Sequence, residues 1–503
     1  MRRRDAIRAG LAAVGVGVVG RRAGARTETP TPQGRLPVEG AKEAVVSPDG
    51  RTAFLATTDG YATVDLREPS APALLARRRD PLAETDTGPM TDIYDVKLAD
   101  DGETLAVVGP ANYVAGESTN GVLFVDVSEP AAPTPLAFHR TSFPIHNCVF
   151  ADGHVYLTGN GARTVDGVTR NELVVVAAGA EPREVGRWSL VDHDERWAAV
   201  NSGFRVLHDV WVRDGLAVLA HWDAGTYLLD VSDPATPTHL GTVPAVTPAE
   251  LTDDGNAQYT STPGNHHYVT TDPENELLGI GGESWAVERD GELRGGPSGI
   301  DLYDVSDPTA PTRLSRIAPP TSADPTFRGT WTTAHNFTIR AGTLYSSWYH
   351  GGVKRHDLSD PTAPRELSWW VDPTAARFWA ATPAVSGEFF LASSMGTETG
   401  AAGLWTFPET DGTGGRPAAL TATDTGEQTQ TTTASAARAA TASPTPTASR
   451  TPSDREPRTA TATRSETTES GETAASAPGF GAVAAACGLG VVAWRRLRSA
   501  VEP

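Results

Sequence analysis

The chain has 503 residues, of which only 39% are hydrophobic, so a packed core accounts for just part of its length. Its 62 acidic residues against 42 basic ones give a formal net charge of -20, which excludes a protein that tracks nucleic-acid phosphates. The two cysteines, Cys148 and Cys487, stand in unlike settings and supply neither a disulfide framework nor a thiolate zinc site. Lysine occurs only at 42, 97 and 354, and this acid-rich, arginine-dominated balance fits a halophilic protein solvated in concentrated salt.

Residues 1–25 read as an export signal. Arg2-Arg3-Arg4 and Arg8 form the charged start, Leu11 to Gly20 the apolar stretch, and Ala23-Gly24-Ala25 a small-x-small cleavage site. The arginines resemble a twin-arginine signal, which implies transport in a folded state.

From there the chain repeats itself. Five segments carry Gly, four residues and Asp: Gly60 to Asp65, Gly121 to Asp126, Gly225 to Asp230, Gly299 to Asp304 and Gly352 to Asp357. Asn171 to Val176 is a degenerate copy, and Gly403 to Pro408 keeps the Gly without the Asp. The spacings are 61, 50, 54, 74, 53 and 51 residues, a propeller-blade period. Within blade four, four strands separate at Asp214-Gly215 and Ser232-Asp233-Pro234, because Gly supplies positive φ and Pro stops a ladder. The predicted fold is all-β: a seven-bladed β-propeller of four-stranded antiparallel blades over residues 33–410. Residues near Gln33 to Val38 are expected to supply the outer strand of blade seven and close the ring.

Val-Asp-Val-Ser-Glu-Pro130, Leu-Asp-Val-Ser-Asp-Pro234, Tyr-Asp-Val-Ser-Asp-Pro308 and His-Asp-Leu-Ser-Asp-Pro361 resemble the LVIVD-repeat family. That resemblance implies a surface β-propeller of undefined activity. The repeated Asp is read as structural, accepting hydrogen bonds from its own turn.

Residues 411–477 are Thr, Ala, Ser, Pro and charge, too poor in large apolar side chains to offset ordering entropy, and read as a disordered stalk open to O-glycosylation. Residues 478–503 hold Pro478-Gly479-Phe480, an apolar run to Trp494, and Arg495-Arg496-Leu497-Arg498. In that order they resemble the PGF-CTERM sorting signal of archaeal surface proteins. It implies cleavage by an archaeosortase and a lipid replacing the membrane segment, with the protein held on the extracellular face of the cell membrane.

The propeller places first-strand starts and second-strand ends on one face, near the axis. His146, His208, His266 or His267, and His335 open first strands, and His221 and His350 end second strands. Asp95, Asp223, Glu283, Trp222, Trp285 and Trp348 are expected in the same zone, under the long loops 78–93, 190–207, 245–264 and 318–333 and the insert 285–296. Converging neutral imidazoles suit a late first-row transition metal such as copper, zinc or iron. His146, His208, His266 and His335 are the candidate ligands, with Glu283 or Asp223 as acid–base group. In architecture this arrangement resembles the selenium-binding or methanethiol oxidase proteins, without a shared motif.

Two functions follow. One is a tethered binding module engaging a cell-envelope protein, a glycan or a peptide through its His- and Trp-rich face. The other is an extracellular metal-dependent enzyme, of the oxidoreductase kind. No phosphate loop, nucleophile elbow or dinucleotide fingerprint occurs. Cys148 reads as a buried core thiol, and the sequon at Asn336 as too buried for modification.

Overall fold

The computed structural model describes residues 30–86, 88–112, 118–253 and 264–422. The expected export signal, most of the stalk and the sorting tail lie outside these residues. Among the described residues, no helix is long and apolar enough to cross a membrane.

Blade four shows how the repeat folds. Asp209–Arg213, Leu216–Ala220, Thr226–Asp230 and Thr238–Val243 follow one another from the axis outward, each antiparallel to the last. Asp214 and Gly215, both at positive φ, make the first turn. At the second, Asp230 accepts the Ser232 N–H at 2.9 Å. Asp126, Asp304 and Asp357 hold Ser128, Ser306 and Ser359 in the same way, and all four carboxyls sit below their ordinary range because the serine hydroxyl and its backbone N–H both bond them, the N–H foremost at Asp357.

Leu216–Ala220 is buried at every position because both faces of its sheet press on neighbouring blades. The core is accordingly divided into seven clusters, one at each blade interface. Each large aliphatic side chain buried there contributes about 1.5–3 kcal/mol against exposure.

Seven such blades close a ring. Their first strands are Ala41–Val46, Asp95–Leu98, Cys148–Ala151, Asp209–Arg213, His266–Thr271, Phe337–Arg340 and Phe378–Val385, and each packs beside the next around the axis. Gly34–Pro37 closes blade seven by pairing with Gly403–Pro408, Gly34 opposite Thr406 and Pro37 opposite Gly403. A Cβ on Gly34 would lie 2.2 Å from the Pro69 carbonyl of blade one, so this position is packed too closely for a side chain.

The propeller runs past residue 410, beyond the boundary read from the sequence. Gly412–Gly415 adds a fifth, parallel strand to the outer edge of blade six, beside Arg365–Val371. Pro417–Leu420 then forms a short 3-10 turn with Leu420 buried, and the Leu420 carbonyl accepts the Ala323 N–H. Composition suggested a loose chain here, but the backbone bonds of an open sheet edge hold glycine as well as any residue.

Candidate functional site

Each blade sends one residue of equivalent position into the hub: Lys42, Tyr94, His146, His208, His267, His335 and Trp379. Each stands at or just before the first strand of its blade. Six of them form a closed circle of rings. Centroid separations are 5.8 Å from Tyr94 to His146, 4.5 Å to His208, 4.0 Å to His267, 4.8 Å to His335, 4.3 Å to Trp379 and 5.6 Å back to Tyr94. The Lys42 ammonium caps the seventh place, 4.7 Å from the Tyr94 ring and 4.8 Å from that of Trp379.

The imidazoles are oriented by the blades around them. His146 Nδ1–H donates to the Ala111 carbonyl at 3.2 Å, His208 Nδ1–H to that of His267 at 2.9 Å, and His335 Nδ1–H to that of Trp379 at 2.5 Å. A carbonyl only accepts, so Nδ1 carries the proton and Nε2 keeps its lone pair. Among the described residues no group bonds these three Nε2 atoms, and neither ring nitrogen of His267 makes a hydrogen bond. Burial depresses all four, His146 to about 4, His335 to about 3, and His208 and His267 well below the usual imidazole range. They are neutral imidazoles, the protonation state a metal requires.

Glu283 and Tyr349 complete the site from second-strand ends. Glu283 Oε2 is 3.5 Å from His267 Nε2, and Tyr349 Oη donates to Glu283 Oε1 at 2.5 Å. One ligand atom from each of His267, Glu283 and His335 falls within a 4.8 Å span, and all three residues are buried. Trp222 stacks on His208 at 5.1 Å. Trp222 and Tyr349 both adopt positive φ, 44° and 49°, which is costly for aromatic residues. Both are held so by bridging to the next blade, at His266 and Phe378. Trp285, Trp331 and Tyr349 pack with Tyr94 and Trp379 in one aromatic cluster beside the ring.

A polar layer lies next to the imidazoles in sequence. Asp95 accepts the Cys148 N–H at 2.8 Å, Asn147 donates to the His208 carbonyl at 3.0 Å, and Asp209 accepts the Val269 N–H at 3.0 Å. Lys97 donates to Asp95 and lies 3.8 Å from Glu43, which in turn accepts from Asn336 at 2.5 Å. Burial pushes Glu43 up to about 7 and Asp209 well up, while for Lys97 the Asp95 and Glu43 charges outweigh burial and raise it. Asp95 is therefore an inter-blade tie, not a rim ligand. Asn336 is buried in this layer, as is Cys148, whose thiol burial pushes up.

Several sequence-predicted positions lie elsewhere. His266 is not in the hub; its neighbour His267 is, because successive strand residues point to opposite sides. His266 bonds Thr226 Oγ1 at 2.8 Å and lines a 600 Å³ cleft with Asp301 and Arg316. His221 turns away between blades three and four, donating to the Arg205 carbonyl at 3.2 Å and packing edge-on against Tyr227. His350 is half-buried beside Arg377, its basicity cut to about 3 by desolvation and then by that charge. Trp348 belongs to the core between blades five and six, its indole N–H on Ser346. Asp223 accepts the Asn265 N–H at 3.0 Å, its other oxygen unbonded, and burial lifts its carboxyl to about 8.

Histidine positions alone do not point to Lys42, Tyr94, Trp379 or Tyr349. A usable signal existed: at five first-strand starts the axial residue precedes an acid or amide, as Lys42-Glu43, Tyr94-Asp95, His146-Asn147, His208-Asp209 and His335-Asn336.

Fold and hub together define a seven-bladed β-propeller with an imidazole-lined axis. The LVIVD repeat model matches residues 101–137, in blade two, and 206–244, which span blade four. No curated protein matches the chain. Among solved structures, the chain is similar to the β-propeller domain of Cps50 (Swd1) from Myceliophteria thermophila, at 10% identity and a TM-score of 0.48, covering 75% of this chain and 99% of that one.

Proposed function

We propose that this chain is an exported, surface-held propeller whose hub binds one late first-row transition metal, copper, zinc or iron. The observation that carries this reading is the locked tautomer of His146, His208 and His335, which leaves three unbonded Nε2 lone pairs beside His267 in a buried hub. Evolved structures seldom leave buried nitrogens without a partner, as both ring nitrogens of His267 are, and His267, Glu283 and His335 each offer a ligand atom within a 4.8 Å span. Glu283 is placed to add a carboxylate oxygen, giving a mixed nitrogen–oxygen set that suits zinc or iron. Glu283 remains the acid–base candidate for any reaction there.

Metal analysis of untagged protein tests the reading. Close to one equivalent is expected, falling to a small fraction in His208→Ala, His267→Ala and His335→Ala. Folded, metal-free wild-type protein would sink it.

A second reading, an interaction module for an envelope protein, peptide or glycan, is favoured by exposed apolar side chains on the long loops: Leu293 at 56% and Phe327 at 36% exposure, Phe327 packing on Trp285. Replacing both by Ser is expected to abolish retention on purified cell envelopes and leave metal content unchanged.

A further inference from the structure

In blades one to six the outer strand carries a bulge, and the extra residue is a branched aliphatic each time: Leu75, Leu136, Val185, Leu240, Leu314 and Leu367. Five of them are half-buried, whereas Leu136 is 57% exposed. The difference lies in the blade that follows. After each third strand comes a residue whose N–H bonds the carbonyl just before the second strand of its own blade. In blades one, two, four, five and six that residue is Leu66, Val127, Val231, Val305 and Leu358, all buried. Val185 shares a core cluster with Val231, Leu240 with Val305 and Leu314 with Leu358, so the bulge of one blade and the turn of the next fill one interface together.

Blade three has Ala178 at this place, bonded in the same way to the Gly153 carbonyl. Its turn is also shorter, since Ala177 pairs with Arg183 where Asp230 of blade four pairs with Thr238. A methyl group and a short turn do not fill the room that Leu or Val fills elsewhere. Between blades two and three this leaves a cleft of 580 Å³, lined by Leu136 and Ala178 and by Phe124 and Phe150, which meet edge to face at 5.9 Å. A volume of this size lies within the range of small-ligand pockets, about 300–1,000 Å³. Because the first-hairpin turn residues Asp101 and Gly153 line it, the cleft opens on the tight-turn face, away from the long loops. Asp100 and Asp101 are exposed in its wall. Asp100 accepts the Asp152 N–H, and Asp101 accepts the N–H groups of Glu103 and Thr104 and the Thr104 hydroxyl. Among the described residues neither carboxylate enters an ion pair, so the cleft has apolar walls and an acidic edge.

We propose that this cleft docks an extended segment of a partner protein, one that presents a branched aliphatic side chain next to a lysine or arginine. The aliphatic group takes the room that the chain's own Leu or Val takes at neighbouring interfaces, and its burial removes apolar surface of both partners from water. The cation meets Asp100 and Asp101 at the edge, which orients the segment and rejects acidic ones. This inference goes beyond both functional readings above and depends on neither, since it needs no metal and none of the long-loop residues.

The test uses the full chain and a fluorescein-labelled Gly-Arg-Leu-Arg-Gly peptide, followed by anisotropy at low salt. Saturable binding is expected, weakened about fivefold or more when the peptide's leucine is replaced by alanine or its arginines by glutamate. Ala178→Leu supplies the missing side chain from within, so a melting temperature at or above that of wild type is expected, with peptide affinity lowered by a similar factor. Leu136→Ser should lower affinity as well. No saturable binding, equal affinity for the leucine and alanine peptides, or affinity unaltered in Ala178→Leu would each overturn the proposal. Concentration-dependent sedimentation of wild-type protein that Leu136→Ser removes would also overturn it, assigning the cleft to a second copy of the chain. Should Ala178→Leu not fold, unchanged peptide affinity in Leu136→Ser overturns the proposal equally.

Discussion

Glu283 Oε2 lies 3.5 Å from His267 Nε2, while its other oxygen is held at 2.5 Å by the Tyr349 hydroxyl of the next blade. A carboxylate so fixed presents its second oxygen toward His267. Tyr349 in turn is held in a left-handed backbone conformation that an aromatic residue adopts only when its surroundings impose it. Three blades' worth of packing thus converges on the position of one oxygen atom.

Removing the Tyr349 hydroxyl frees that carboxylate to rotate. Tyr349→Phe is expected to lower metal affinity by about 10–100-fold, the usual effect of losing a bond that orients a ligand, with stoichiometry at saturation unchanged. Competition against a chelator of known affinity measures it, and an unaltered affinity would place Glu283 outside the coordination sphere.

Lys97 is the cation of the polar layer, between Asp95 and Glu43. Lys97→Met keeps the stem and deletes the charge, leaving buried carboxylates without a counter-ion. Such losses typically cost about 3–5 kcal/mol. Denaturant melts should register a drop of this order, and a Lys97→Met melt coinciding with wild type would show that the layer carries no net charge.

Asp223 gives stability a defined pH dependence. Its carboxyl is raised from 3.8 in the open chain to about 8 by burial. The folded state therefore holds the proton more tightly than the unfolded one. The stability this brings is complete below pH 3.8 and is lost as pH rises through 8. Asp223→Asn keeps the acceptor for the Asn265 N–H and cannot ionise. Its melting temperature should overtake that of wild type increasingly between pH 5 and 9, by an amount on the order of a few kcal/mol in stability. A difference constant across that range would refute the buried, protonated carboxyl.

Ring closure depends on Gly34–Pro37. A chain beginning at Val38 leaves Gly403–Pro408 as an unpaired edge and uncovers Trp405, against which Arg35 now stacks at 4.3 Å. Lower thermal stability and concentration-dependent association by light scattering are expected, since open edges pair with other chains. A monomeric truncated chain with the wild-type melting temperature would mean that the strand is ornamental.

The repeated Gly-to-Asp segments and Asp-Gly turns determined the blade count and strand order by themselves, because both features are local: a turn needs positive φ or a carboxylate acceptor within a few residues. Imidazole convergence followed from blade count alone for His146, His208 and His335. Which member of His266-His267 faces inward was beyond the sequence, since a strand's two faces differ only by what packs on them, and a bulge between His266 and Tyr268 disturbs the alternation. Likewise His221, Trp348 and His350 occupy promising chain positions, yet inter-blade packing decides which side chains at second-strand ends turn inward, as Glu283 and Tyr349 do, and which do not. The partnership of Lys42 with Tyr94 and Trp379 joins the first, second and seventh blades across more than 330 residues of chain. Only closure of the ring creates it, because no local signal encodes which side chains meet at an axis.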